Sequence, residues 1–567
     1  MYTDVKSVQI LIALLKSFGI KHLVLSPGNR NVPFVHSVEN DKDFECYSIT
    51  DERSAGFFAI GLIHKYNEPV GICCTSGTAV CNYASAVNEA FYQKLPLVVI
   101  TADRNPYYLN QLEDQMIPQM SIFRDVCKAS VQLPMIENKL DEWKCINLVN
   151  MALLELEHHG SGPVHINVPI ESGINSFHCK QLPSINKINR ITALDLEKAE
   201  ELFKRLNHKR VMVLYGQSKP CNNDQICNIE KFVKGCNAII AVDMLSNLDC
   251  EGCINTFNAS RILSENKLDE LLPDIVISVN GNFLSYIRTI LKNNADKVEH
   301  WIVSETGNVQ DPFHCLSTII EEKTDKFFEK MSAVISKVPD ELGSYYVDWK
   351  KSISNINFPN IPYSDILVTE KLINKLKEGD YLHLANSSSV RIAQHFKMPK
   401  GVVVDCNRGT NGIDGSMSSF IGEAYGDKAI HYLLIGDLSF FYDMNALWNR
   451  YIGKNIRILL NNNEGAEIFH FTVGTQNVPT LNKHIAAEHF YNAKGWAETV
   501  GMEYISVSNE DEIDKAMERF VDCNNEKPIL MEVFTRKEDD AQIMKKLYSS
   551  NKPKTIKSTF KNLLINR

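Results

Sequence analysis

The 567-residue sequence predicts an α/β protein made of three doubly wound parallel-sheet blocks. Short β-branched runs alternate with amphipathic helical stretches along the whole chain, which is the pattern of βα units. Two polar, proline-bearing seams cut that pattern into blocks of similar size. The length also suits about three or four domains at roughly 100–200 residues each.

The strand runs follow in order. The first block has HLVLSPG, PVGICC, PLVVITADR and PVHINVP. The second has RVMVLYG, AIIAVDM, DIVISVNG and HWIVSET. The third has YLHLANSS, GVVVDCNRG, HYLLIGDLS, IRILLNNN and PILMEVF. The seams, QLPSINKINR and SISNINFPNIPY, set expected domains at 1–180, 191–345 and 360–567. No short-period repeat is visible.

Composition narrows the classes. Apolar residues make up 44% and charged residues 23%, which excludes a disordered or fibrous chain. A net charge of −9 argues against broad electrostatic binding to nucleic acid. The N-terminus reads as an amphipathic helix without a signal-peptide pattern. No apolar run reaches the length of about 18 residues that a membrane span needs. The expectation is a cytoplasmic protein without membrane contact.

Several features read as structural. The 15 cysteines are scattered, and Cys250 and Cys253 form a lone CxxC; reduced buried thiols are the plain reading, with a zinc or redox site as the alternative. His158 and His159 precede Gly160 at an expected helix end and suit capping. FYDMNALWNR reads as a packed amphipathic helix with Trp448 in a core or interface. The basic C-terminal tail reads as a solvated helix.

Ligands of open α/β sheets collect beyond the carboxyl ends of the strands. Here those tips read SPGNR, TSGTA, TADR, ANSSSVR, CNRGTNGIDG, GDLS and NNNEG. Small residues at such tips let backbone N–H groups approach a phosphate. The strongest constellation is Asp437 in GDLS (Gly436, Asp437, Leu438, Ser439), with Asn463 26 residues later in NNNEG. Each directly follows an apolar strand. A carboxylate, an amide oxygen and a backbone carbonyl suit a hard cation such as Mg2+. One carboxylate alone binds Mg2+ weakly, so phosphate oxygens must complete the shell, and a diphosphate ligand is implied.

This pair resembles the GDG…N motif of thiamine diphosphate (ThDP) enzymes, which consist of three α/β domains termed PYR, middle and PP. Leu438 replaces the second glycine of that motif. GPVHINVP resembles the segment that closes the PYR domain. The resemblance assigns Glu52, in TDERSAGFFAIG, to N1′ of the aminopyrimidine. A carboxyl group there favours the 4′-imino tautomer, whose nitrogen takes the proton from the thiazolium C2. Ile413 would hold the cofactor bent. The cofactor itself supplies the electron sink.

As a set, SPGNRNVP, TDER, TSGTA, TADR, NRGTNGIDG, GDLSFFYDMNALWNR and NNNEGAEIF resemble the MenD family, the 2-succinyl-5-enolpyruvyl-6-hydroxy-3-cyclohexene-1-carboxylate synthases of menaquinone biosynthesis. GDLS is that family's own form of the motif. The resemblance covers both outer blocks and is thin in the middle one. It implies decarboxylation of 2-oxoglutarate and addition of the resulting carbanion to isochorismate, with ThDP and Mg2+, and Mn2+ as a substitute metal. Asp437, Asn463 and the carbonyl of Gly465 would hold the metal. Gly436, Leu438, Ser439, Ile468 and Phe469 would line the cofactor pocket. Ser387 and Arg391, with Arg288 beside them, fall where the family holds the carboxylate derived from 2-oxoglutarate. Arg30, Arg104 and Gln115 fall where it holds isochorismate. Such enzymes are homodimers or homotetramers with active sites between subunits.

Four positions depart from the family pattern: Ile287, Asp114, Pro118 and Glu467. Each makes the expected pocket less positive, against an acceptor with two carboxylates. A carboligase using a different acceptor therefore stands as the alternative. A fold that has lost catalysis and only binds is a third reading, opposed by Glu52, Asp437 and Asn463.

Overall fold

The computed structural model describes residues 1–171, 176–354, 356 and 360–549. The basic tail and part of the second seam lie outside the described residues. The chain divides into two compact units, Met1–Thr192 with Gly307–Ile320, and Ala193–Thr306 with Glu321–Arg567.

Every apolar run read as a strand is one. In the first unit a six-stranded sheet runs Glu45–Ser48, His22–Leu25, Val70–Cys74, Leu97–Asp103, Val164–Pro169, Ala129–Gln132. All of its pairs are parallel. Asn189–Thr192 and Leu316–Glu321 are further strands, adjacent to each other.

The second unit holds two parallel arrays. One runs Cys253–Asn255, Ala238–Val242, Val211–Tyr215, Ile275–Val279, Glu299–Val303. The other runs Val403–Asp405, Tyr381–Leu384, His431–Gly436, Ile456–Asn462, Ile529–Phe534, Glu503–Val507. This last sheet and the first share one order: second, first, third, fourth, sixth, fifth strand. In each, the order reverses between the first and third strands, where a crevice opens beyond their carboxyl ends.

The fully buried strands explain their own sequences. Val70–Cys74, Leu97–Asp103 and Ile456–Asn462 are buried along their whole length, so they read as continuous apolar runs rather than alternating ones. Buried polar groups fasten the strands. The Arg457 guanidinium is fully enclosed and donates to the carbonyls of Phe520, Lys454, Ile456 and Asp522. The Glu532 carboxylate accepts from Asn462 Nδ2 at 2.7 Å, from Ala493 N at 2.9 Å and from the Tyr504 hydroxyl at 2.8 Å.

Two local expectations change. FYDMNALWNR is not one helix. Asp437–Tyr442 ends at Asp443, a short 3-10 turn covers Met444–Leu447, and Trp448 is 73% exposed. At the break the Asp443 carboxylate turns to the preceding helix Ser416–Ala424, accepting from Ser418 N and Ser418 Oγ at 2.7 Å each. His158 and His159 follow rather than end a helix, since Lys139–Leu154 closes earlier. Among the described residues no helix is long and apolar enough to cross a membrane.

His165 gives the fold a pH limit. It is buried between the Thr101 and Ser130 hydroxyls, at 2.8 Å each, and burial pushes its pKa down to about 3. The unfolded chain therefore binds the proton near pH 6.5 and the folded chain only near 3, so stability is complete above 6.5 and falls with acid. The expected slope is about 1.4 kcal/mol per pH unit per such group. Urea midpoints of His165→Gln measured from pH 7 to 4 should fall less steeply than those of the wild type. Parallel slopes would show that His165 is not a buried neutral base.

Candidate active site

The last sheet of the second unit carries a cavity of about 320 Å³ at its point of strand reversal. Tyr381–Leu384 leads into Asn386 and Ser387–Ser389 on one wall; His431–Gly436 leads into Asp437, Leu438 and Ser439 on the other. The next strand, Ile456–Asn462, delivers Asn463, Gly465, Glu467, Ile468 and Phe469. Ile413 completes the lining. Every residue predicted to bind the cofactor except Glu52 thus lines one cavity.

Asp437 organises that cavity. Its Oδ1 accepts from Leu438 N at 2.6 Å; its Oδ2 accepts from Asn463 N at 3.1 Å and Gly465 N at 2.9 Å. One carboxylate therefore ties two strand ends together. His489 Nε2 lies 3.3 Å from Asp437 Oδ2. Gly465 has φ 142°, and a Cβ there would stand 2.6 Å from the Ala486 carbonyl oxygen, so only glycine fits. Ser439 donates its hydroxyl to the Ile413 carbonyl, which links both walls. Ser387 has φ 72°, an uncommon conformation for a side chain of this kind. It opens the helix Ser388–Ala393, and its carbonyl accepts from Arg391 Nη1 at 2.6 Å.

The oxygens at Asp437, Asn463 and Gly465 are of the kind that a hard cation takes. Ile413, Leu438, Ile468, Phe469 and Ile485 form an apolar wall for an organic ring. Polar floor and apolar wall together fit a phosphorylated aromatic cofactor.

Sequence reading missed part of this site. Arg408, in the NRG run after Val403–Asp405, is only 9% exposed. Its Nη1 donates to Asn386 Oδ1 at 2.9 Å, while its Nε is buried without an acceptor. Burial, then the Arg408 charge, holds both Arg288 and Arg391 below the usual guanidinium range. A third guanidinium in the expected carboxylate-binding group was signalled by its place on a Gly-rich strand tip. Asp365 and Asp540 are buried carboxyls with no such signal. Asn463 Nδ2 reaches Asp540 Oδ2 at 3.4 Å.

The departures also look different in three dimensions. Ile287 is buried in the core and does not line the cavity. Glu467 does line it, 2% exposed, with its carboxyl beside the Asp365 carboxyl and the Ser388 hydroxyl. Burial first, then the Asp540 charge, pushes its pKa up to about 7. Burial likewise raises Asp540 to about 6 and Asp365 well above the carboxylate range. Burial thus disfavours the charged form of Glu467, and Ile287 lies outside the cavity.

The first unit carries Arg30, Arg104, Gln115 and Glu52 at strand ends and on the segments that follow them. Arg30 follows His22–Leu25, with its N donating to Thr75 Oγ1 at 3.3 Å and its Nη1 to the Ile170 carbonyl at 3.1 Å. Arg104 closes Leu97–Asp103 and pairs with Glu113 at 2.6 Å. Burial, then the Arg104 charge, lowers the pKa of Arg30. Gly28 lets these tips meet, since a Cβ there would fall 2.2 Å from that of Thr75. Gln115 is exposed in a left-handed conformation, φ 52°, against Gly77. Asp114 and Pro118 are exposed on the same loop. Glu52 is the first residue of the helix Glu52–Tyr66, capped by Asp51, and its Oε2 accepts from Asn82 Nδ2 at 2.9 Å.

Fold and site together define a thiamine pyrophosphate enzyme. Residues 5–122 match the family described as "Thiamine pyrophosphate enzyme, N-terminal TPP binding domain". The chain is 43% identical over 563 residues to the 2-succinyl-5-enolpyruvyl-6-hydroxy-3-cyclohexene-1-carboxylate synthase of Phocaeicola vulgatus, covering 98% of this chain and 100% of that one. It is 43% identical over 558 residues to the synthase of the same name from Bacteroides fragilis, covering 97% and 99% of the two chains. It is 31% identical over 561 residues to that of Flavobacterium johnsoniae, covering 97% and 99%. The chain belongs to the 2-succinyl-5-enolpyruvyl-6-hydroxy-3-cyclohexene-1-carboxylate synthase family.

Proposed function

We propose that this enzyme decarboxylates 2-oxoglutarate and adds the resulting four-carbon unit to isochorismate, as a step of menaquinone biosynthesis. The observation that carries the site is Asp437, which draws Asn463 and Gly465 together on the polar floor of a cavity with an apolar wall. Similarity to synthases of that name over nearly the whole chain supports the substrates.

Asp437, Asn463 and the Gly465 carbonyl would hold Mg2+, or Mn2+ in its place, and through it the diphosphate. Gly436, Leu438 and Ser439 would border the diphosphate, and Ile413, Ile468 and Phe469 the rings. When bound, ThDP supplies a nucleophilic carbon and an electron sink for the charge left by departing CO2. Glu52 holds a proton at N1′ of the aminopyrimidine. Ser387, Arg391, Arg288 and Arg408 take the side-chain carboxylate of the oxo acid. That site has already paid for crowding its guanidiniums, and an anion relieves the repulsion. Arg30, Arg104 and Gln115 orient the dicarboxylate acceptor. Arg104 would exchange its Glu113 partner for that substrate.

The enzyme acts as a homodimer or homotetramer in the cytoplasm, with Glu52 of one subunit and Asp437 of another serving one cofactor. Phe57 and Phe58, 44% and 41% exposed on the helix that begins at Glu52, support an interface there. The proposed domain limits are 1–180, 191–345 and 360–567, supported by the three successive sets of parallel strands, although Gly307–Ile320 groups with the first compact unit.

Incubation with ThDP, Mg2+, 2-oxoglutarate and isochorismate is expected to release CO2 and form the adduct in equal amounts. Release of CO2 without adduct would remove the acceptor alone. No release would remove the whole assignment.

A further inference from the structure

The CxxC pair has no part in the chemistry above, yet its geometry is specific. Cys250 and Cys253 stand at the two ends of a β-turn closed by the Cys253 N–H donating to the Cys250 carbonyl at 3.2 Å. Gly252 sits at the third position with φ 91°, as a type II turn requires. A Cβ at Gly252 would fall 2.5 Å from Val233 Cγ1, so the turn is held by packing as well as by its own hydrogen bond. Both side chains lie on one side of the turn, with Sγ atoms 3.4 Å apart and no disulfide. Turn ends lie less than about 7 Å apart at Cα, the range that a disulfide spans. A small side-chain rotation at one cysteine closes the remaining gap.

We propose that Cys250 and Cys253 form a redox-active dithiol that a low-molecular-weight disulfide converts to an intramolecular disulfide. The thiolate of one cysteine attacks the small disulfide, breaking its S–S bond and releasing one small thiol. The second cysteine then displaces the other small thiol as the Cys250–Cys253 bond forms. Two electrons pass from the protein dithiol to the small disulfide, and the two cysteine protons leave with the two released thiols.

The turn is wired to the neighbouring sheet on both sides. Upstream, Asn247 holds the edge strand Val403–Asp405 by a pair of 2.8 Å hydrogen bonds, Nδ2 to the Val404 carbonyl and Val404 N to Oδ1. Downstream, Cys253–Asn255 is an edge strand of the middle array. Asn255 caps the helix Thr256–Ile262, whose Asn258 bonds His395 at 2.6 Å. The disulfide tightens the segment between these two anchors.

The test uses the full-length protein equilibrated with oxidised glutathione, then denatured, alkylated and digested with trypsin. The peptide 235–261 carries Cys236, Cys250 and Cys253. The expected product has lost two hydrogens and carries one alkyl group, on Cys236. Fragmentation should place the bond between Cys250 and Cys253, and Cys250→Ser and Cys253→Ser should each abolish the loss. Amide exchange across 248–255 should slow at least severalfold in the oxidised wild type only. Three alkyl groups on that peptide would overturn the proposal. So would a persistent glutathione adduct, a bond from either cysteine to Cys221, or stoichiometric zinc that leaves with Cys250→Ser.

Discussion

Glu52→Gln is expected to cut turnover by about 10²–10⁴-fold, the range that a positioned acid–base group contributes, while ThDP still binds. Glutamine keeps the size of the side chain and one oxygen. It cannot share a proton with N1′, so the tautomer that accepts the thiazolium proton is no longer favoured. The Glu52 carboxylate opens a helix, and among the described residues its side-chain partner is a neutral amide, Asn82 Nδ2. Steady-state kcat with both substrates, alongside calorimetry of cofactor binding, separates the two effects. Wild-type turnover would refute the activation role. Loss of both turnover and binding would recast Glu52 as a structural contact.

Asp437→Ala is expected to weaken Mg2+-dependent cofactor binding by about 100-fold or more. The substitution removes the proposed metal ligand and also strands the N–H groups of Leu438, Asn463 and Gly465, which all donate to this carboxylate. An unsatisfied buried N–H costs about 1–3 kcal/mol, and each 1.4 kcal/mol is a factor of ten. Asp437→Asn keeps one oxygen for the backbone but forfeits the charge. It should preserve thermal stability better than alanine while shifting the Mg2+ titration to higher concentration. An unchanged titration in both variants would count against Asp437 as a metal ligand.

Much of the fold is written in local patterns. Strands buried on both faces need apolar side chains throughout, so HYLLI and IRILL announce themselves. Five of the six described strands that sequence reading passed over have the opposite character; the sixth, Leu316–Glu321, is mostly buried and lies inside its sheet. Glu45–Ser48, Ala129–Gln132, Asn189–Thr192, Cys253–Asn255 and Glu503–Val507 all lie at sheet edges. Glu45–Ser48 has no fully buried residue. With one neighbour and one wet flank, such strands carry mixed polarity and look like loops. The site divides in the same way. Asp437 and Asn463 were legible because each directly follows a strong strand. Arg408 was within reach, being in a quoted motif, but only its burial against Asn386 marks it as more than a turn residue.

What the sequence determined by itself is the set of strands, their glycine-rich tips and the residue types placed on those tips, because each follows from burial and backbone sterics within a few residues. Which tips meet was decided only by tertiary structure, since strand order depends on pairing between segments far apart in the chain. The carboxyls of Asp365, Glu467 and Asp540 make the same point. Nothing in their spacing foretells an interaction, and only the folded cavity removes their water, sets them beside one another and lifts the Glu467 pKa to about 7. Ionisation is a property of surroundings, and those surroundings exist only once the sheet has closed.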